Sequence, residues 1–248
     1  MSVYGPLAPW YDALTGDVPY GSFAAYYAHL FAERGKNVHT VLDLACGTGT
    51  LSAILAGQGY EVIAVDRSPD MLAEAMDKFA GLPEGTAAPM LLCQDLAHLD
   101  LYGTADAAVS CLDSLNYLSP SETEAFFTRL RYFLEPGGLL VFDVNTPERF
   151  RSLDGQIFVD EQADVLCLWR AALSDDGTSI SYGMDVFQRR GRLWDRQQEQ
   201  HVEYIHRPEA LRSWLKAAGF QNIEVRTDGP LGDAGRLFFI AENGWYHG

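Results

Sequence analysis

Residues 38–50, Val-His-Thr-Val-Leu-Asp-Leu-Ala-Cys-Gly-Thr-Gly-Thr, restrict the possible fold more than any other part of the chain. An apolar run (Val41, Leu42, Leu44, Ala45) ends in two glycines, Gly47 and Gly49, and a helical pattern through Leu51, Ile54 and Leu55 follows at once. Strand, tight glycine turn and helix N-terminus together make a nucleotide-binding element. Glycine lets the backbone approach a ligand, and the free N–H groups of the first helical turn face it. The spacing departs from G-x-G-x-x-G, because Ser52 stands where the third glycine would be. Asp43 lies inside the apolar run, where a carboxylate is costly without a partner.

Beyond this element the chain alternates. Apolar runs at about 40–45, 61–65, 90–93, 106–111 and 138–144 are separated by helical patterns at about 49–57, 69–80 and 120–133. This predicts an α/β fold, with a parallel sheet covered by helices on both faces. Ser68-Pro69-Asp70 and Ser119-Pro120-Ser121-Glu122 read as capped helix starts, and Pro136-Gly137-Gly138 as a sharp turn feeding a buried strand. Val62–Val65 ends in Asp66, placed to accept hydrogen bonds from ribose hydroxyls. Met90–Cys93 ends in Gln94-Asp95-Leu96, an acid beside an apolar residue that suits an amino-purine.

With these acids in place, the motif Val-Leu-Asp-Leu-Ala-Cys-Gly-Thr-Gly-Thr resembles the class I S-adenosylmethionine-dependent methyltransferases, over residues 38–145 and more weakly over 208–242. The resemblance implies a Rossmann-like, seven-stranded, mostly parallel sheet. The helix Ala210–Ala218 and the strands Asn222–Thr227 and Leu237–Glu242 would close it. It implies S-adenosylmethionine as cofactor, S-adenosylhomocysteine as product and in-line transfer of the methyl group. Ala45, Cys46, Gly47, Thr48 and Gly49 would approach the cofactor, with Asp43 acting around its amino-acid end. Asp66 would bind the ribose, Arg67 and Met71 would flank the adenine, and Gln94, Asp95 and Leu96 would define its edge. The loop after the fourth strand would line the methionine portion with Cys111 and Leu112, and the methyl acceptor with Asp113, Ser114, Asn116 and Tyr117.

Two segments fall outside this core of 38–145 and 208–248. In residues 1–37, Pro6, Pro9, Gly16 and Pro19 leave Tyr4, Trp10, Tyr11 and Tyr20 on a loop-rich stretch. A helical pattern follows from Ser22, its plausible cap, through Phe23, Tyr26, Tyr27, Leu30 and Phe31. In the resembled family such a segment often forms a lid, and ring faces there attract the sulfonium cation. Tyr11 and Tyr20 are assigned to the cofactor and Tyr4 to the acceptor; simple packing is the alternative. In residues 146–207, alternating runs Gln156–Asp164, Val165–Leu173, Ser179–Gln188 and Leu193–Ile205 predict antiparallel strands inserted after the fifth parallel one, roofing the active site. Trp169, Arg170, Tyr182, Arg196 and His201 are its candidate substrate contacts. An amine or hydroxyl acceptor must lose a proton, and Asn116, Tyr117 and His201 are the catalytic candidates, beside Asp113.

Charge narrows the acceptor. The formal net charge of −16, from 34 acids against 18 bases, argues against nucleic acid and for a small molecule. No lysine lies between Lys36 and Lys78, which suits a cofactor without pyrophosphate. The four cysteines show no C-x-x-C spacing, so no metal site is expected, and free thiols suit a reducing compartment. With no signal peptide or membrane span in view, a soluble cytoplasmic protein is expected. Two other readings stay open. A nicotinamide oxidoreductase shares Gly47-x-Gly49 and Asp66, although Ser52, Asp43 and the C-terminal strand pattern speak against it. A non-catalytic binding module would need no cavity beside the methyl group.

Overall fold

The computed structural model describes residues 4–232 and 234–244. The apolar runs become β1 (Thr40–Leu44), β2 (Glu61–Asp66), β3 (Met90–Cys93), β4 (Ala105–Ser110) and β5 (Leu134–Asn145), paired with one another in parallel. Short helix α1 (Tyr11–Leu14) follows a 3-10 turn, and α2 (Tyr20–Glu33) packs against α3 (Thr50–Gly57). Next come α4 (Pro69–Ala80) and α5 (Pro120–Leu130). Ser68 caps α4 by accepting from the Met71 N–H, and Ser119 with Glu122 forms a capping box on α5. Two local expectations change. Helix α2 opens two residues before Ser22, behind Pro19, so the serine sits in its first turn and caps nothing. The Pro136-Gly137-Gly138 turn lies inside β5, where a Cβ on Gly138 would come within 2.9 Å of the Asp106 carbonyl of β4.

After β5 the sequence expectation missed α6 (Pro147–Leu153), capped by Thr146 through the Arg149 N–H at 3.1 Å. Then β6 (Ile157–Gln162), β7 (Val165–Leu173), β8 (Ser179–Arg190) and β9 (Leu193–Tyr204) form a separate antiparallel sheet in sequential order. The chain returns through α7 (Pro208–Ala218) to β10 (Phe220–Arg226) and β11 (Arg236–Asn243). These two complete a seven-stranded sheet in the order β10-β11-β5-β4-β1-β2-β3, with only β11 antiparallel to its neighbours.

Strand alternation explains the two cores. Leu42, Leu44, Leu140 and Phe142 pack against Phe126, Phe127 and Leu130 of α5 and Leu211 and Leu215 of α7. Val41, Val109 and Val141 face the opposite way, onto Phe23, Tyr27 and Leu30 of α2 and Leu51 and Leu55 of α3. Both faces are covered, so the parallel strands read as nearly continuous apolar runs. Among the described residues no helix is long and apolar enough to cross a membrane.

One polar cluster joins the closing strand to this core. Arg236, at the start of β11, is buried and donates to Asp113 at 2.8 Å and to Asp143 of β5. Burial holds the Asp143 carboxyl up at about 6 although Arg236 pulls it down. Arg236→Gln should therefore cost about 3–5 kcal/mol of unfolding free energy at pH 7.5 in urea titrations, because buried carboxylates lose their counter-ion. The proton on Asp143 favours the folded state fully below the unfolded carboxylate range, and that contribution is lost as pH rises through about 6. The loss in the variant should accordingly shrink at pH 5; an equal loss at both pH values would mean that Asp143 is not the group left uncompensated.

Candidate active site

A cavity of about 310 Å³ lies beyond the carboxyl ends of the parallel strands. From the core it is lined by Ala45, Cys46 and Gly47 after β1, by Asp66, Arg67 and Met71 around β2 and α4, and by Gln94, Asp95 and Leu96 after β3. The loop after β4 adds Cys111, Leu112, Asp113, Ser114 and Tyr117. Tyr4, Tyr11 and Tyr20 come from the N-terminal segment and Trp169 from the second sheet. The fold thus gathers residues from four strand ends and two added segments into one space. Asp43, Thr48, Gly49, Asn116, Arg170 and His201 are not in its lining, and each has an identifiable place elsewhere.

Backbone conformation shapes the first wall. Ala45 and Gly47 have φ of +57° and +55°, the left-handed region, and the Cys46 N–H ties the turn to the Val65 carbonyl of β2 at 2.9 Å. A Cβ on Gly47 would meet nothing within 4 Å, so the space over it is free for a ligand. Gly49 is required for packing instead, since its Cβ would come within 2.7 Å of the Phe79 ring of α4. The Asp66 carboxylate, part of the cavity lining, accepts the Gly47 N–H at 2.9 Å and the Ser68 N–H at 2.8 Å, and each oxygen can accept a further bond. Burial raises its affinity for a proton, and those backbone N–H groups oppose the rise. Gln94 spends its amide on both backbone groups of Asp100 and contributes wall only.

Asp43 faces α3 and accepts a hydrogen bond from the Ser52 hydroxyl. Both are buried, and burial pushes the Asp43 carboxyl up to about 7, with the Ser52 bond opposing. Thr48 donates to Asp12 of α1 at 2.5 Å, and Lys78 sits 2.6 Å from the same carboxylate, so Thr48 anchors the N-terminal segment.

The acceptor side is built on strain. Leu112 and Asp113 also have left-handed φ, +57° and +53°, which costs non-glycine residues on the order of 1–3 kcal/mol each. Asp143 accepts the Asp113 N–H at 3.0 Å, and Asn145 donates to the Asp113 carboxylate at 2.8 Å. Asn116 is fully buried; it accepts the Asn145 N–H at 3.1 Å and donates to the Tyr204 carbonyl at 2.9 Å. It therefore pins the loop to β9 and does not reach the cavity. Tyr117 does reach it, hydrogen-bonded to the Tyr4 hydroxyl. Burial, then the neighbouring Tyr4 and Glu203, push its phenol well above the usual range, so it keeps its proton. The Cys111 thiol is likewise held neutral by burial.

In the second sheet, His201 lies behind Tyr4, ring centroids 4.4 Å apart, with Nε2 2.9 Å from Glu199 Oε2. Glu199 also accepts the Tyr4 N–H at 3.0 Å. Arg170 and Arg196 pair with Asp185, away from the cavity lining. Tyr182, named above as a contact, lines the cavity; Leu51, Ser68, Leu118 and Glu203 line it without having been anticipated. For Glu203 a signal existed. Glu199, His201 and Glu203 alternate along β9, so the face that carries His201 carries both acids.

Residues 41–138 match a family model described as a methyltransferase domain. The chain is 32% identical over 248 residues to the Bacillus subtilis protein named "Putative methyltransferase YqeM", with 97% of each chain covered. A solved S-adenosylmethionine-dependent methyltransferase from Clostridium acetobutylicum has a TM-score of 0.82 at 28% identity, covering 98% of this chain and 99% of that one. The sugar N-methyltransferase KedS8 from a Streptoalloteichus species has a TM-score of 0.81 at 25% identity, covering 99% and 97%. Similar along nearly its whole length to such proteins, and carrying their glycine loop beside a cavity, the chain belongs to the class I S-adenosylmethionine-dependent methyltransferases.

Proposed function

We propose that this enzyme methylates a small molecule held between the loop after β4 and the second sheet. The observation that carries the reading is the cavity's second half. Beyond the glycine loop it continues to Asp113, Tyr117, Trp169 and Tyr182, beside where a transferred methyl group would lie. The nicotinamide and non-catalytic alternatives lapse with membership of the family. The lining suits the cofactor: with Asp113 paired to Arg236, the acids Asp66, Asp95 and Glu203 still outnumber Arg67 among the described lining residues, which favours a positively charged ligand over a pyrophosphate. S-adenosylmethionine, when bound, supplies a methyl group on an already good leaving group.

The residues then have mainly geometric work. Asp66 would hold the ribose hydroxyls, Asp95 and Leu96 the adenine edge, and Tyr11 and Tyr20 would close the site from the N-terminal segment. Tyr117, keeping its proton, would orient the acceptor by hydrogen bonding and would not act as a phenolate base. Alignment of this kind contributes roughly 7–11 kcal/mol at its ideal limit. The similarity to KedS8, a sugar N-methyltransferase by name, supports a small polar acceptor. A net charge of −16 disfavours nucleic acid.

Two outcomes follow. Asp66→Ala should weaken S-adenosylmethionine and S-adenosylhomocysteine alike by about 10–100-fold in calorimetric titrations, the value of hydrogen bonds to a charged group. NAD, titrated in parallel, should give no saturable heat. An unchanged affinity in the variant would remove Asp66 from the site. Asn116→Ala should lower stability in urea by about 2–3 kcal/mol, since it strands two buried backbone partners, while cofactor affinity in the folded protein changes less than about threefold. Lost cofactor binding at unchanged stability would contradict its place as a positioning residue.

A further inference from the structure

The carboxyl groups on the acceptor side are not equivalent. Asp113 is fully engaged, with Arg236 and Asn145 each at 2.8 Å. Glu203 of β9 is only 5% exposed and lines the cavity, yet its Oε2 has no hydrogen-bond partner among the described residues. Its neighbours are Asp113 and Tyr117. Asp113, Asp143 and Glu203 thus share the one guanidinium of Arg236, which bonds the two aspartates. The carboxyl is tied to Asp113 and Tyr117 by side-chain hydrogen bonds, and it keeps one buried oxygen unpaired that a ligand's donor or cation would satisfy. Tyr4, Tyr117, Trp169 and Tyr182 line the same cavity, and aromatic ring faces attract positive charge. Such a lining repels a carboxylate or phosphate and favours a group that brings both a donor and positive charge.

We propose that the acceptor is an amine, and that Glu203 binds it and takes its proton. The inference rests on the methyl-transfer reading above. The step balances as follows. An ammonium R–NH3+ gives one proton to the Glu203 carboxylate, leaving R–NH2 beside a neutral acid. The nitrogen lone pair forms the N–C bond to the methyl carbon as the C–S bond breaks, and that bond's electrons stay on sulfur. The positive charge ends on the methylated nitrogen, and the Glu203 proton returns to solvent when product leaves. In a low-dielectric site the neutral acid and neutral amine are favoured over the ion pair, and the neutral amine is the nucleophile. Burial, with Asp113 alongside, holds the Glu203 carboxyl well above the usual carboxylate range, so its ionised form is a stronger base than an ordinary carboxylate. Tyr117 and Cys111 keep their own protons and cannot take this one.

Sinefungin tests the assignment without knowledge of the acceptor, because it carries an amino group on carbon in place of the methyl-bearing sulfonium. Calorimetric titrations of wild type should show sinefungin binding at least about tenfold more tightly than S-adenosylhomocysteine. Glu203→Gln should cut that preference to about threefold or less, with S-adenosylhomocysteine affinity unchanged. Glu203→Met, which buries no amide, carries the same expectation and covers the case in which the glutamine variant fails to fold. Equal binding of the two ligands by wild type, or a preference that survives both substitutions, overturns the amine assignment alone. No binding of S-adenosylhomocysteine to folded wild type overturns methyl transfer itself, and this proposal with it.

Discussion

Arg236 lies between Asp113 and Asp143, and the acceptor side of the site depends on that contact. A buried ion pair is weak evidence for stability, because desolvation offsets much of the attraction. Its effect here is conformational. Leu112 and Asp113 sit in left-handed backbone that would relax if nothing held it, and the hold comes from β5 and β11. Arg236 is 123 residues from Asp113 in sequence, so the strand that closes the sheet also fixes the loop after β4. Asn116 extends the same network to the second sheet through the Tyr204 carbonyl. Core and insertion are therefore joined at the site by hydrogen bonds to one strained loop.

The cofactor side solves a similar problem with a neutral partner. Asp43 is buried between sheet and helices, where an unpaired carboxylate would be expensive. The departure from G-x-G-x-x-G supplies the remedy, since Ser52 puts a hydroxyl where glycine would put nothing, and that hydroxyl bonds Asp43. With its proton affinity pushed up to about 7, Asp43 needs no lysine or arginine nearby. The one cation at the glycine loop among the described residues, Lys78, is instead engaged by Asp12, Thr48 and Thr50.

Which parts were legible follows from what each part is made of. Parallel strands covered on both faces must be apolar, so β1 to β5 stood out as runs, and the acids at their ends marked the cavity. Gly47 and Asp66 were readable as cavity residues because a tight turn and a strand end each place one residue there. Partner choice was not readable: nothing local links Asp113 to Arg236 or Thr48 to Asp12, because such pairs exist only once distant segments meet. Asn116 looked like a free polar side chain on a loop, yet it is consumed by backbone groups of β5 and β9. Helix α6 had a readable start in Thr146-Pro147 but was masked by the strand pattern after it. For Glu203 the only signal was its alternation with His201 along β9. Polar residues dominate β9, so alternation alone could not tell which of its faces meets the cavity.

The N-terminal segment touches both halves of the cavity. Asp12 holds Thr48, Thr50 and Lys78 behind the glycine loop, while Tyr4 holds Tyr117 and Glu199 on the acceptor side. The two anchorages differ in strength. The Asp12–Lys78 pair is partly exposed, and exposed pairs are worth about 0–1 kcal/mol. Tyr4 instead packs at a tilt on buried His201 and edge-on with Tyr11, contacts worth about 0.5–1.5 kcal/mol each beyond the area they bury. Of the two ends, the one over the glycine loop is therefore the easier to release. The Tyr4 contacts with Tyr117, Glu199 and His201 thus tie the segment to both the loop after β4 and the polar inner face of β9.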